Sequence, residues 1–235
     1  DPLWSRGLGD VYKRQIQGRY EMNRMEWRVI MDKFKSMTEL ESKTVEHEDW
    51  EIETTNQNSH VTILAIHGGG IEPATTELAQ TIAEQGKYNY FSFKGIRSKG
   101  NNELHVTSIH YDDKDALNIV RNSERAIAIH GCTGDNSAVY IGGNDHRLIE
   151  LISESLKDIG VDVQGAPFSI SGTQDNNIIN HTKQDGGVQL ELTSQLRKEL
   201  FNNNDSSRKS RENKDNWGHL MYDFSEAIIK AIERA

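Results

Sequence analysis

Two histidines and a glutamate at the ends of apolar runs are the residues best suited to chemistry in this sequence. One run ends in His67, breaks into three glycines and reaches Glu72, and a second run ends in His130 followed by glycine. Because glycine lets the backbone fold tightly, His67 and Glu72 can point at one ion. Two His and one Glu form a ligand set of catalytic zinc sites, which keep a further position for water. The pattern predicts metal-assisted hydrolysis.

Other interpretations of the same residues have to be weighed against a metal site. A histidine at a strand end can simply cap a buried strand. The His-Gly-Gly-Gly string also resembles the oxyanion loop of α/β-hydrolases, but the Gly-x-Ser-x-Gly elbow of that class is absent from the sequence. A phosphate-binding loop needs a following Gly-Lys-Ser/Thr, which is also absent. Two histidines at equivalent strand ends, one beside a loop with a carboxylate, favour the metal site.

A carboxylate on a later predicted strand is the candidate general base. Val188, Leu190 and Leu192 alternate with Gln189 and Glu191, which indicates a strand with the polar pair on one face. A carboxylate buried beside a metal can be poised to take a proton. That face could meet solvent as well as a cleft, so the pattern alone leaves the role of Glu191 open.

Strands alternate with helices along the chain. Strands are predicted at 50–54 (an edge strand), 61–66, 88–93, 104–107, 125–132, 139–143, 161–163 and 187–192. This alternation predicts an α/β fold, a three-layer sandwich with a mixed, mostly parallel central sheet. Ligands of such sheets bind beyond the carboxyl ends of the strands, where His67 and His130 stand. The polar stretch 164–187 is long for a connection, which is typical of functional loops.

Composition excludes several classes of protein. The chain has 235 residues, enough for one sizeable core, and its net charge of −9 argues against a nucleic-acid binder. No apolar run approaches the roughly 20 residues that span a bilayer, and we expect no signal peptide. We therefore expect a cytoplasmic monomer without a membrane partner, which host lysis would release. The single cysteine, Cys132, excludes an internal disulfide framework and fits a reducing compartment.

The first residues differ in character from the rest of the chain. Residues 1–15 lack periodicity and resemble translated adapter sequence, so we predict that they are not native. The natural start is then Met22, Met25 or Met31. We expect residues 1–44 to form an N-terminal extension and residues 45–235 to form a zinc hydrolase domain.

Three strings resemble the poly-γ-glutamate hydrolase family of bacteriophages and bacilli. They are 67–73 (His-Gly-Gly-Gly-Ile-Glu-Pro), 128–132 (Ala-Ile-His-Gly-Cys) and 187–192 (Gly-Val-Gln-Leu-Glu-Leu). The resemblance implies a core similar to zinc carboxypeptidases, with Zn²⁺ held by His67, Glu72 and His130. It also implies that Glu191 is the general base and that the γ-glutamyl amide bonds of poly-γ-glutamate are the substrate.

Poly-γ-glutamate is a polyanion, so an acidic enzyme needs local positive charge at its cleft. Basic residues in or just after predicted strand-end loops are Lys94, Arg97, Lys99, Arg147 and Lys183. The arginine fork suits a carboxylate best, which favours Arg97 and Arg147, and Lys183 is the third candidate. For any one of them the alternative is a solvated surface cation.

Two other functions would keep the same residues. A zinc amidohydrolase that deacylates small N-acyl amino acids, as N-formylglutamate and succinylglutamate deacylases do, would use the same metal site. A non-catalytic protein that binds metal or polyglutamate would keep only the fold. Glu191 distinguishes this last alternative from an enzyme, because a binding protein has no reason to keep a carboxylate in that motif.

Overall fold

The computed structural model describes residues 32–235. The strands are β1 (Trp50–Thr55), β2 (Val61–Gly69), β3 (Asn89–Gly95), β4 (Arg125–Gly131), β5 (Val139–Gly143), β6 (Val163–Gly165) and β7 (Val188–Leu192). The α-helices are α1 (Met37–Lys43), α2 (Thr75–Gly86), α3 (Lys114–Arg121), α4 (His146–Asp158), α5 (Ser194–Glu199), α6 (Arg208–Arg211) and α7 (His219–Glu233). Short 3₁₀ helices cover Asn101–Leu104, Ser108–His110, Phe168–Ile170, Ile178–His181, Asn202–Asn204 and Lys214–Asn216. Within this part of the chain, no helix has both the length and the apolar character needed to cross a membrane.

A seven-stranded sheet in the order β1-β3-β2-β4-β7-β5-β6 forms the centre of the fold. Strands β3, β2, β4 and β7 are parallel, whereas β1 is antiparallel to β3 and β5 is antiparallel to β7. Every residue of β2 is buried, because a central strand of such a sheet is covered on both faces. The predicted α/β class, with a mixed and mostly parallel sheet, is confirmed. The predicted edge strand is β1.

Two apolar clusters, one on each face of the sheet, produce the three layers. Ile63 of β2 packs in the first cluster with Leu78 of α2 and Ile228 of α7. Leu64 packs in the second cluster with Met37 of α1. Successive side chains of a strand point to opposite faces, so β2 contributes to both clusters.

Helix α1 lies just before the predicted boundary of the hydrolase domain at residue 45. Its Met37 and Leu40 are buried in the second cluster, beside the sheet. The boundary itself stays a prediction. The residues predicted not to be native, 1–15, and the candidate start methionines lie outside the described residues.

The predicted strand at 104–107 is wrong, because this segment belongs to none of the strands in residues 32–235. Two of its backbone groups bind side chains, and none pairs with a strand among residues 32–235. The carbonyl oxygen of Val106 accepts a hydrogen bond from Nε2 of His67 at 2.8 Å. The N–H of Thr107 donates to Oδ2 of Asp32 at 2.8 Å. The segment instead forms one wall around His67.

Candidate metal centre

Three parallel strands bring candidate residues to one edge of the sheet. His67 lies near the carboxyl end of β2, His130 near that of β4 and Glu191 near that of β7. β4 and β7 pair in a register that places His130 opposite Glu191. Neighbouring strands are about 4.8 Å apart, so the two residues are direct neighbours. Open α/β sheets bind their ligands at this edge.

A bulge in β2 changes the direction of His67. β2 pairs with β3 in regular register as far as Ala65, and the register shifts before pairing resumes at Gly68. Strict alternation would place His67 on the face of Ala65, which packs in the first cluster. Its ring instead lies edge-on to Tyr111 of the second cluster, with ring centroids 6.5 Å apart. We attribute this direction to the bulge, since bulges re-aim side chains beside active sites.

The glycine loop after His67 returns the chain so that Glu72 lies beside it. The N–H of Glu72 donates to the carbonyl oxygen of His67 at 2.9 Å, which closes the loop. Gly69 has a φ of 63°, in the left-handed region that favours glycine. A Cβ on Gly68 would lie 2.1 Å from Oγ1 of Thr76, so a side chain does not fit there. The tight turn therefore depends on these two glycines.

Donor atoms of His67, Glu72 and His130 converge. Nδ1 of His67 lies 3.1 Å from Nδ1 of His130 and 3.1 Å from Oε1 of Glu72. Nδ1 of His130 lies 3.7 Å from Oε2 of Glu72. Ligands of a tetrahedral zinc ion, bound at about 2.0–2.1 Å, are about 3.3 Å from one another. The three side chains are thus close enough to share one ion, with a different oxygen of Glu72 nearest to each histidine.

Hydrogen bonding determines which nitrogen of His67 can bind an ion. The carbonyl of Val106 can only accept, so Nε2 of His67 carries a proton and Nδ1 is the nitrogen that can offer a lone pair to an ion. Histidines that bind metals usually have their second nitrogen bonded in this way. Nδ1 of His130 faces that lone pair, and Nε2 of His130 is buried with no hydrogen-bond partner among residues 32–235. A cation between the two Nδ1 atoms would accept both lone pairs, so the donor set fits zinc.

Glu72 is a buried carboxylate held in its charged form. Its Oε2 accepts a hydrogen bond of 2.7 Å from the N–H of Gly131. Burial acts to raise the pKa of Glu72, but the charges and hydrogen bonds of His67 and His130 outweigh it and hold the pKa well below its usual range. A buried carboxylate that stays ionised is suited to bind a cation.

Glu191 is a second buried carboxyl group at this edge. Its strand, β7, lies between β4 and β5 in the sheet. Glu191 is therefore not a surface carboxylate on an edge strand, which was the alternative that the sequence left open. Its Oε1 accepts a hydrogen bond of 2.9 Å from Nε2 of Gln189. Burial raises the pKa of Glu191 well above its usual range, and the negative charge of Glu72 adds to the effect. The pKa values of the two carboxyl groups of the site are therefore shifted in opposite directions, which is typical of sites with an acid–base residue.

His105 also belongs to the site, and the sequence analysis missed it. Its ring stacks on that of His67, and its Nε2 lies 4.0 Å from Oε1 of Glu72. Its Nδ1 lies 2.7 Å from Oδ1 of Asp32. Together with His67 and Glu72 it forms a second possible ligand group, with donor atoms within 4.8 Å of one another. A histidine in the loop after β3 was the available signal, and the assignment of that segment to a strand concealed it.

Arg97, a candidate for substrate binding, lies at the same edge as the candidate metal centre. It follows the carboxyl end of β3 and lines a groove of about 320 Å³ that also contacts Gly69 and Gly70. Its Nε donates to Oδ1 of Asp49 at 2.6 Å, and its Nη1 donates to Oε2 of Glu103 at 3.4 Å. The guanidinium is therefore close to the glycine loop but is already paired.

The other two candidates, Arg147 and Lys183, lie at the opposite edge of the sheet. The N–H of Lys183 donates to the carbonyl of Ser123, just before β4 begins. Arg147 is in the first turn of α4, and the N–H of Asn144 before it donates to Gly187, just before β7 begins. The structure does not bring these two residues to the candidate metal centre. They could contact only distant parts of a polymer cleaved there, and their role stays a prediction.

Comparisons with known proteins agree on one family. A model of the poly-gamma-glutamate hydrolase family matches residues 34–227. The UPF0714 protein YndL of Bacillus subtilis (strain 168) is 31% identical over 206 residues, which cover 87% of this chain and 79% of the relative. The SPbeta prophage-derived UPF0714 protein YoqZ of the same strain is 31% identical over 207 residues, which cover 86% of this chain and 72% of the relative.

Two solved structures are similar to this fold over most of its length. A bacteriophage poly-gamma-glutamate hydrolase matches with a TM-score of 0.83 and 32% identity, covering 87% of this chain and 98% of that one. A zinc-free form of YndL matches with a TM-score of 0.80 and 31% identity, covering 86% of this chain and 98% of that one. The resemblance seen in the three sequence strings is confirmed. The chain belongs to the poly-γ-glutamate hydrolase family.

Proposed function

We propose that this chain is a zinc-dependent hydrolase that cleaves the γ-glutamyl amide bonds of poly-γ-glutamate. The observation that carries the proposal is the convergence of donor atoms of His67, Glu72 and His130, 3.1 to 3.7 Å apart. Membership of the family supports an enzyme and this substrate. The relative YndL has a structure described as zinc-free, which supports zinc as the metal.

His67, Glu72 and His130 would hold the zinc ion, and the backbone around them keeps each one ready. When bound, the ion would polarise the scissile carbonyl and lower the pKa of a water molecule. The carbonyl of Val106 keeps the proton of His67 on Nε2. The N–H of Gly131 holds Oε2 of Glu72 at 2.7 Å, so this carboxylate is oriented before any ion binds.

Glu191 is the residue we assign to proton transfer. It lies opposite His130 on the neighbouring strand, and Gln189 fixes the orientation of its Oε1 at 2.9 Å. Oε2 is then the atom that takes a proton from the attacking water and later gives it to the leaving amine. The products are a free γ-carboxylate on one fragment and a free amine on the other.

Arg97 is our candidate for contact with the α-carboxylates of the polymer. It lines the groove that contacts Gly69 and Gly70, between His67 and Glu72. Its guanidinium can donate to a third carboxylate besides Asp49 and Glu103 because it has five N–H donors. Arg147 and Lys183 would contact only residues of the polymer far from the bond being cleaved.

The test is to incubate the purified protein with poly-γ-glutamate and follow polymer length by size-exclusion chromatography. The samples are the untreated protein, chelator-treated protein, and chelator-treated protein with added zinc. We expect the polymer to shorten in the first and third samples only. Polymer that is retained by the protein but never shortened with added zinc would favour a binding protein.

A parallel incubation with N-acylated glutamate separates the two enzymatic functions. The proposal predicts release of amine from the polymer and little from the small substrate. Cleavage of the small substrate without shortening of the polymer would replace the proposed substrate with a small N-acyl amino acid while keeping the metal site.

A further inference from the structure

We infer that Arg197 is a positioning residue that holds together the backbone segments carrying the candidate metal ligands and the general base. The inference rests on the proposed function for its catalytic readout. Arg197 lies in α5, the helix that directly follows β7. Neither its position nor its residue type marked it in the sequence, because its acceptors come from distant parts of the chain.

The guanidinium of Arg197 donates to three carbonyl oxygens on three different segments. Nη1 donates to Pro73 at 2.9 Å, Nη2 donates to Cys132 at 3.2 Å and Nε donates to Leu192 at 3.2 Å. These segments are the loop after β2, the end of β4 and the end of β7. One planar group therefore joins three strand ends.

Each acceptor carbonyl belongs to a residue that follows a residue of the site by one or two positions. Glu72 and Glu191 stand one residue before their acceptor, and His130 stands two residues before its acceptor. A shift of any of these carbonyls would move the adjacent side chain. The hydrogen bonds of Arg197 thus constrain the relative positions of two candidate ligands and the general base.

Gly131 provides a second, independent link between Arg197 and the site. A Cβ at this glycine would lie 2.7 Å from Cζ and Nε of Arg197, so the guanidinium packs against the bare backbone. The N–H of the same residue donates to Oε2 of Glu72 at 2.7 Å. The peptide that orients Glu72 is therefore supported from behind by the guanidinium.

The partners of Arg197, which is half-buried, differ from those of the buried arginine, Arg211. Arg211 forms an ion pair of 3.0 Å with the buried Glu77. None of the ion pairs found between residues 32 and 235 includes Arg197, whose remaining hydrogen bond goes to Oγ of Ser194 at 3.4 Å. Burying a cation without an anionic partner costs free energy. Here the three carbonyl oxygens stabilise the guanidinium, and the negative charge of Glu72 adds to their effect.

The geometry depends on arginine and not merely on positive charge. A guanidinium presents its five N–H groups in one rigid plane, whereas an ammonium is a point charge on a flexible chain. Lysine at this position could reach one or two of the three carbonyls but could not fix all three relative to one another. Arg197→Lys is therefore the informative substitution, and Arg211→Lys is its matched control.

The experiment compares these two variants with the wild type for zinc affinity, thermal midpoint, kcat and KM. Zinc affinity is measured by competition with a chromophoric chelator. We expect Arg197→Lys to lose about 10- to 100-fold in zinc affinity and in kcat, with KM unchanged, as substitutions behind metal ligands commonly do. Arg211→Lys should lower the thermal midpoint and leave zinc affinity unchanged.

A second pair of variants approaches the same contact from the other side. Gly131→Ala forces the guanidinium away, whereas Gly165→Ala adds a methyl group into open space. The visible spectrum of the Co²⁺-substituted protein reports the geometry of the metal site directly. We expect Gly131→Ala and Arg197→Lys to change this spectrum and Gly165→Ala to leave it unchanged. If Arg197→Lys does not fold, Gly131→Ala decides the question.

A lower thermal midpoint with unchanged zinc affinity, Co²⁺ spectrum and kcat in Arg197→Lys would overturn the inference and make the residue purely structural. Failure of the proposed function has a different signature, because the wild type itself would not shorten the polymer. In that case the metal affinities and Co²⁺ spectra of the four variants still decide the role of Arg197.

Discussion

The imidazole of His105 stacks on that of His67, with ring centroids 3.9 Å apart and 30° between the ring planes. Oδ1 of Asp32 lies 2.7 Å from Nδ1 of His105 and fixes the ring of His105. The carbonyl of Val106 accepts a hydrogen bond of 2.8 Å from Nε2 of His67. The stack and these two hydrogen bonds leave His67 a single orientation, with Nδ1 directed at the candidate metal position.

We expect the role of His105 to be this support and not direct binding of the metal. His105→Phe keeps an aromatic ring over His67 and should keep zinc affinity close to that of the wild type. His105→Ala removes the ring and should weaken zinc binding about tenfold, the lower end of the effects of residues behind metal ligands. Competition with a chromophoric chelator measures both. An equal and large loss in the two variants would make His105 a ligand.

Zinc should stabilise the folded protein through His130 and its neighbours. A ligand that binds only the folded state adds RT ln(1 + [L]/Kd), about 4 kcal/mol when its concentration is 1,000 times Kd. We expect zinc to raise the thermal midpoint of chelator-treated wild type and to raise that of His130→Ala far less. His146→Ala, an exposed histidine at the opposite edge, is the matched control and should respond like the wild type. The same rise in His130→Ala would remove His130 from the ligand set.

Glu191→Gln should abolish most of the activity and leave the metal in place. The amide oxygen can still accept the hydrogen bond from Gln189, so the side chain keeps its position. An amide cannot take a proton from water, and loss of a general base lowers kcat by about 10²- to 10⁴-fold. Initial rates on the polymer, together with zinc content, test this. Glu150→Gln, at an exposed carboxylate on α4, controls for the change of charge, and retained cleavage in Glu191→Gln would exclude Glu191 as the base.

The sheet and the strand ends were predictable because their signals are local. Alternating apolar residues predict strands, and parallel strands expose their carboxyl ends at one edge. That reasoning brings His67 and His130 together without any knowledge of the tertiary structure. The support by His105 and the three carbonyl contacts of Arg197 are long-range relationships, and no local periodicity records them.

Arg147 and Lys183 show why the position of a basic residue relative to a predicted strand does not suffice to place it at the site. Arg147 follows β5, but β5 runs antiparallel to β7, so its end lies where the parallel strands begin. Lys183 precedes β7 and therefore lies at the same edge. The direction of a strand in a mixed sheet depends on its pairing partners, which a single sequence does not reveal. Of the three predicted substrate-binding residues, only Arg97, which follows the parallel strand β3, lies at the edge of the site.

The pKa of Glu41 in α1 predicts how the free energy of unfolding depends on pH. Burial and the negative charge of Asp113 raise the pKa of Glu41 to about 7, from an ordinary value of 4.5. Between these two values the folded state binds more protons than the unfolded state, so the contribution of this group to stability falls as pH rises. Above pH 7 the carboxylate is charged in both states, and the full cost of its repulsion by Asp113 remains.

Glu41→Gln removes that charge and should raise the free energy of unfolding, increasingly so as pH rises from about 5 to about 8 and then by a constant amount. Since Glu41 is exposed, solvent screens the repulsion and the gain should be modest. Urea denaturation at a series of pH values measures the difference between variant and wild type, which cancels the titration of groups that do not interact with Glu41. Glu48→Gln, an exposed carboxylate before β1, should show no such trend. A gain independent of pH would show that Glu41 has an ordinary pKa in the folded protein, and that removal of its charge acts by another route.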